Sequence, residues 1–209
     1  DCRTGIEDQG GAFGELLQIL HYTMIAWHET DVVRIQGKMY RFFVRWLRDH
    51  VHTLKGMKYF HPDLKSAIEL YRDSQRADGM IWDNIYPRMP LPAWSDMTFA
   101  EGGFIRKLEG GTLELKRIPV ENDVEYLYVE GIYFTWKATG DDAWMKSFLD
   151  SALRAFRYST VSGLRWSRKL GLLKRGYTID TWDFQAKEDA DRTGFIMKVH
   201  PRKTRFGVM

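Results

Sequence analysis

The chain has 209 residues, 44% of them hydrophobic and 28% charged, with one cysteine and a formal net charge of +3 from 31 basic and 28 acidic side chains. That length fits one soluble globular domain, or at most two, with enough chain to bury a sizeable core. Mixed charge gives no nucleic-acid footprint, a lone Cys2 excludes an internal disulfide or a cysteine metal cluster, and no apolar run reaches the roughly 18 residues of a membrane span.

Helical periodicity dominates from the start. Phe13, Leu16, Leu17, Leu20, Met24 and Trp27 recur at three-to-four spacing and predict an amphipathic helix over Gly11 to Glu29. Val32 to Val44, β-branched and aromatic around Gly37, predicts a short hairpin, and a second helix follows from Leu47 to Phe60. His61-Pro62-Asp63 breaks the chain, and Leu64 to Arg76 predicts a third helix closed by Asp78-Gly79. Three prolines between Pro87 and Pro92 mark a long loop, and Phe104 to Val120 reads as an excursion of two short strands around Gly110-Gly111. Helices resume over Val124 to Thr139, stopping at Gly140, and over Ala143 to Tyr158 after an Asp141-Asp142 start. Arg165-Trp166-Ser167-Arg168-Lys169 through Arg175 is the densest basic segment and reads as a solvated helix face.

Short turns alternating with long aromatic and acidic loops predict stacked antiparallel helical hairpins, with the long loops building a site along one rim. Five or six helices fill about half of a closed ring of hairpins, so an uncovered apolar flank, and with it self-association or a complementary chain, is expected. The 8 Trp, 10 Tyr and 12 Phe suit a large aromatic core or a sugar cleft, where flat rings stack on pyranose C–H faces.

Chemistry concentrates in Lys174-Arg175-Gly176-Tyr177-Thr178-Ile179-Asp180-Thr181-Trp182-Asp183-Phe184-Gln185, where two carboxylates three apart sit among aromatic rings. Indole and phenol rings strip water from a carboxyl and raise its pKa, which suits a proton donor near neutrality. A helix start capped by Thr178, Asp180 or Thr181 would be written the same way. Other constellations carry less. His50 and His52 lie on different sides of a helix, so joint metal ligation is not expected and surface or sugar-contacting roles are. Glu188 to Gly194 lacks the ligand spacing of a calcium loop, and the Gly102-Gly103 and Gly110-Gly111 pairs lack the frame of a phosphate cradle.

In order along the chain, Arg45-Trp46-Leu47-Arg48-Asp49-His50 with Gly56, then Asp78-Gly79-Met80-Ile81-Trp82-Asp83, Glu121-Asn122-Asp123-Val124-Glu125-Tyr126 and Thr181-Trp182-Asp183-Phe184 resemble motifs of six-hairpin, (α/α)6-barrel glycoside hydrolases, the trehalase, glucosidase and debranching group. The resemblance covers about Tyr40 to Gln185 and implies a mainly α fold, a single partial toroid over residues 1–209 with a β excursion at 104–120. It implies that Asp183 is the general acid, with Asp180 as the other candidate, and that Arg48 and Asp49 hold sugar hydroxyls. Trp46, Trp82, Asp83, Glu121, Asn122, Asp123, Arg175, Tyr177 and Trp182 are the further expected substrate contacts. Thr181 stands where trehalase-like motifs carry glycine.

An inverting mechanism needs a second carboxylate about 6.5–9.5 Å from the acid. Only Glu188, Asp189 and Asp191 follow Phe184, so the general base is expected outside this chain, the whole resembling the N-terminal half of the catalytic domain. The expected function is therefore glycosidic hydrolysis of an oligo- or polysaccharide without metal or organic cofactor. The alternative is a non-catalytic helical-hairpin protein binding a glycan or a partner; an epimerase, lyase or phosphorylase on the same architecture is a third possibility. Compartment is left open, cytoplasmic or secreted, because no signal peptide is recognised and the sequence begins abruptly at Asp1.

Overall fold

The computed structural model describes residues 5–28, 32–87, 105–109, 113–117, 121–163, 165–175 and 207–208. In chain order these form α1 (Ala12–His28), the strands β1 (Val32–Ile35) and β2 (Lys38–Arg41), α2 (Leu47–Met57), α3 (Ser66–Asp73), and strands β3 (Asn84–Pro87), β4 (Ile105–Glu109) and β5 (Leu113–Arg117). There follow α4 (Val124–Thr139), α5 (Asp142–Lys146), α6 (Leu149–Val161) and the short strands β6 (Trp166–Ser167), β7 (Leu172–Arg175) and β8 (Gly207–Val208). The described residues are thus mainly helical, with small antiparallel hairpins, as the periodicities predict. They fall into two compact units, Asp1–Ser74 with Leu127–Asp150, and Gln75–Tyr126 with Ser151–Met209.

In the first unit, β1 and β2 pair antiparallel from Val32↔Arg41 to Ile35↔Lys38. Gln36 and Gly37 turn the hairpin with φ of 49° and 83°, the two-residue geometry whose twist matches paired strands. Leu47, His50, Val51, Leu54 and Met57 form the buried side of α2, a spacing that puts them on one helical face. Phe43, Leu54, Met57 and Leu64 make a core cluster, with Met24 and Phe134 packed against it. Asp63 fixes the start of α3, its side chain accepting from the Lys65 and Ser66 amides (3.2 and 3.0 Å) and from the Ser66 hydroxyl (2.6 Å). α4 comes close at Gly131, where an added Cβ would lie 2.9 Å from Ile68 Cδ1 and 3.1 Å from Val51 Cγ2.

The helix predicted over Ala143 to Tyr158 is two helices. Ser147 interrupts it by donating its hydroxyl to the Trp144 carbonyl (2.6 Å) while accepting from Arg72 (3.3 Å), a local bond that competes with continued helix. Phe148, fully buried, turns inward beside Trp144, their ring centroids 4.3 Å apart. Core packing of one ring therefore outweighs helical continuity.

Asp141 caps α5 by accepting from the Trp144 amide (2.9 Å) and pairs with Lys65 (2.6 Å). The Lys65 hydrogen bond, helped by the Trp144 amide, holds its carboxyl below the usual range. A lowered folded-state pKa contributes stability that is present above the unfolded value and lost as pH falls through the folded one. Acid titration by far-UV circular dichroism should therefore show helix loss beginning below about pH 4, and Asp141→Asn should flatten the early part of that loss. An unchanged acid limb in Asp141→Asn would remove this assignment.

In the second unit β5 lies between β3 and β4, both antiparallel to it. The hairpin β4–β5 is the excursion predicted around Gly110-Gly111. β3 has no counterpart among the predicted elements; it pairs from Asn84↔Lys116 to Pro87↔Leu113, ending at the first proline of the expected loop because proline cannot donate further into a ladder. The basic segment expected as a helix face is instead a hairpin, Trp166↔Leu173 and Ser167↔Leu172, with Gly171 supplying a positive φ of 64° in its turn. Lys174 reaches the Gly163 carbonyl across that hairpin.

Candidate functional site

The expected site residues fall in both units. In the first, Trp46 precedes α2 with extended backbone (φ −84°, ψ 130°), and its carbonyl accepts the His50 amide at 2.8 Å. Trp46 and Arg48 are half-buried and Asp49 is exposed. Asp49 sits in the first turn of α2, where partial positive charge of unpaired amides favours an acid. A half-covered indole, a cation and an exposed carboxylate at one helix start can hold a polyol, the ring meeting C–H faces and the charges meeting hydroxyls.

His50 is not a surface or sugar-contacting residue. It is 1% exposed, its Nδ1 accepts the Phe43 amide at 3.1 Å, and its ring stacks on Phe43 with centroids 5.0 Å apart. It pins the loop that carries Trp46. His52, on the other side of α2, is exposed as expected.

In the second unit, alternation along β5 places Leu113, Leu115 and Arg117 on one buried face. Arg117 is fully buried there. Its Nη1 donates to the Ile81 carbonyl (3.2 Å) and to Asp83 Oδ1 (3.4 Å), and its Nη2 to the Glu121 carbonyl (2.8 Å) and Glu125 Oε2 (3.1 Å). Glu125 accepts further from the Ile81 amide (3.1 Å) and the Ser159 hydroxyl (3.3 Å). One guanidinium thus ties together the chain leaving α3, the approach to α4 and β5. Burial pulls the Arg117 pKa down, but attraction from Glu125 and Asp83 outweighs it and the net shift is upward. Arg165, also buried, goes the other way, through desolvation first and repulsion from Arg117 second.

Asp83 and Glu121 are therefore brought together, around Arg117. Trp82, Asp83 and Glu121, expected on an open rim, are buried, with Trp82 1% and Asp83 2% exposed. Asn122 and Asp123 are half-buried just before α4. Arg175 ends β7, in register with Gly207 of β8. Tyr177, Asp180, Trp182 and Asp183, including both candidate acids, lie outside the described residues.

Sequence reasoning missed Arg117 and Asn84, read Arg165 as part of a solvated face although it is buried, and quoted Glu125 only within a motif. The signal for Arg117 was present, since an arginine continuing the inward alternation of a strand announces a buried ion pair. Asn84 carried none. It stands in register with Lys116, and its fully buried carboxamide has no hydrogen-bond partner at either polar atom among the described residues. Among the described residues no group of three or more His, Cys, Asp or Glu side chains is arranged to hold a metal ion, and no helix is long and apolar enough to cross a membrane. No known family model matches the chain, and no curated protein and no solved structure matches it.

Proposed function

We propose that this chain is a carbohydrate-acting protein of the helical-hairpin glycosidase type, part of an (α/α)6 toroid, hydrolysing glycosidic bonds with Asp183 as general acid. The observation that carries the reading is the start of α2, where half-buried Trp46 and Arg48 flank an exposed Asp49 on a loop anchored by buried His50. The ordered Trp-Asp motifs further along add the acid and the remaining contacts, Tyr177, Arg175 and Trp182 among them.

The experiment is calorimetric titration of the chain with trehalose and with gluco-oligosaccharides, paired with Trp46→Ala and Asp49→Asn. Binding should weaken by about tenfold or more in each variant, because loss of a stacking ring or a hydroxyl acceptor leaves the rest of the site unmatched, while circular dichroism stays unchanged. In the catalytically competent protein, Asp183→Asn should lower hydrolysis of glycosides with poor leaving groups by about 10²- to 10⁴-fold and spare activated aryl glycosides. Equal losses on both substrate types would move Asp183 from acid to structural or binding residue.

A second function is favoured by a specific observation. Asp83 and Glu121 are enclosed with Arg117 and Trp82 is buried, which withdraws them from a sugar and suits a non-catalytic partner-binding protein, its acids serving as clamps. Absence of oligosaccharide binding at millimolar concentration would select it.

A further inference from the structure

α6 has two apolar sides. Ser151, Ala155 and Tyr158 are buried, whereas Leu149, Leu153 and Phe156 are 52%, 54% and 60% exposed. Their spacing of four and then three residues, continued four further on by half-buried Thr160, is the seam of a two-helix pairing, in which such positions fill holes on a facing helix. A helix apolar on both sides belongs inside an assembly.

The flanks of the seam say what the partner is. Asp150 and Arg157, both exposed, lie on the same flank seven residues apart. The opposite flank carries only small residues, Ala152 and Ser159. If a second α6 is laid antiparallel with Leu153 opposite the partner copy's equivalent of Phe156, each Asp150 falls beside the other copy's arginine at position 157, and the reverse pair follows by symmetry. A parallel pairing sets this charged flank against the partner copy's small-residue flank, Ala152 and Ser159, and forms no ion pair.

The geometry points to α6 as a two-fold, antiparallel interface between copies of this chain, with an apolar seam of Leu149, Leu153 and Phe156 closed by two Asp150–Arg157 pairs. One helix against one helix lies at the low end of specific interfaces, about 1,200 Å² of total buried surface or less, so the dimer is weak, with a dissociation constant on the order of micromolar.

Sedimentation velocity of the full chain from about 1 to 200 µM, bracketing that constant, should show a reversible monomer–dimer equilibrium. Leu153→Glu should weaken it by about 100-fold, as removal of a central anchor does, with the circular dichroism and melting of the monomer unchanged because this side chain faces outward. Asp150→Arg alone and Arg157→Asp alone should each weaken association by about tenfold through like-charge contacts, and the two together should restore it. Restoration is the outcome that a merely sticky surface would not give. A chain that stays monomeric across the range, a dimer indifferent to Leu153→Glu, or a double variant no better than its parents would overturn the proposal, as would a monomer that instead docks on neutral lipid vesicles through this stripe.

Discussion

Arg117→Met should lower stability by about 3–5 kcal/mol, the range for leaving buried charge without its partner. The guanidinium is 1% exposed and its carboxylate partners, Asp83 and Glu125, are 2% and 1% exposed. Methionine fills much of the same space, so the loss is electrostatic rather than a cavity: two acids would share one dry interior, and the Ile81 and Glu121 carbonyls would lose their donor. One effect opposes this. Arg165 is destabilised in part by its likeness to Arg117, so relief there places the expected cost toward the lower end. Lysine is a poor substitute, because a single ammonium cannot reach four acceptors in a plane. The triple variant Asp83→Asn, Glu125→Gln, Arg117→Met should recover most of the loss, since uncharged groups need no counter-charge. Chemical denaturation of the three proteins is the measurement. A cost under about 1 kcal/mol for Arg117→Met would mean a solvated cluster, and would turn Asp83 and Glu121 back toward the substrate role expected of them.

That cluster also shows where sequence reading stops. Periodicity found α2, α3 and α4 because one helical side of each is packed and the other is wet, and it found the β1–β2 turn because Gly37 sits where only a positive φ closes two strands. It joined α5 to α6 because the interruption is made by Ser147 and Phe148, neither a helix breaker by type; the break exists only because a core ring needed to turn inward. Cations around Trp166 read as solvated helix because charge pattern does not encode strand pairing over so few residues. Residue chemistry gave Trp82 and Asp83 the right company and the wrong exposure: an acid beside an indole is written alike in a cleft and in a sealed ion pair, and what separates them is Arg117, distant in sequence. Trp46, Arg48 and Asp49 kept accessible positions, because the start of a helix is where an acid gains from the dipole without being buried.

Gly79→Ala should be as damaging as the loss of Arg117, at about 4 kcal/mol or more, a size reserved for a few mechanisms. Gly79 closes the turn between α3 and β3 with a φ of 98°, a conformation that costs an L-residue on the order of 1 kcal/mol. Geometry adds the larger part. A Cβ there would run into the backbone carbonyl of Arg154 in α6, 2.7 Å from its carbon and closer still to its oxygen. A side-chain tip could rotate away, but a helical carbonyl cannot without moving α6. The turn is further fixed by the Gly79 amide donating to the Arg76 carbonyl (2.9 Å) and by Gln75 Nε2 bridging the Gly79 and Ser151 carbonyls (2.9 and 3.0 Å), so strain has nowhere to disperse. Gly37→Ala is the comparison, for its φ of 83° is similar and nothing lies within 4 Å of the added methyl; it should cost only the conformational part, about 1 kcal/mol. The difference between the two variants in urea denaturation isolates the contact with α6. Equal costs would mean that Arg154 gives way freely, and would remove the claim that this turn holds the helix in place.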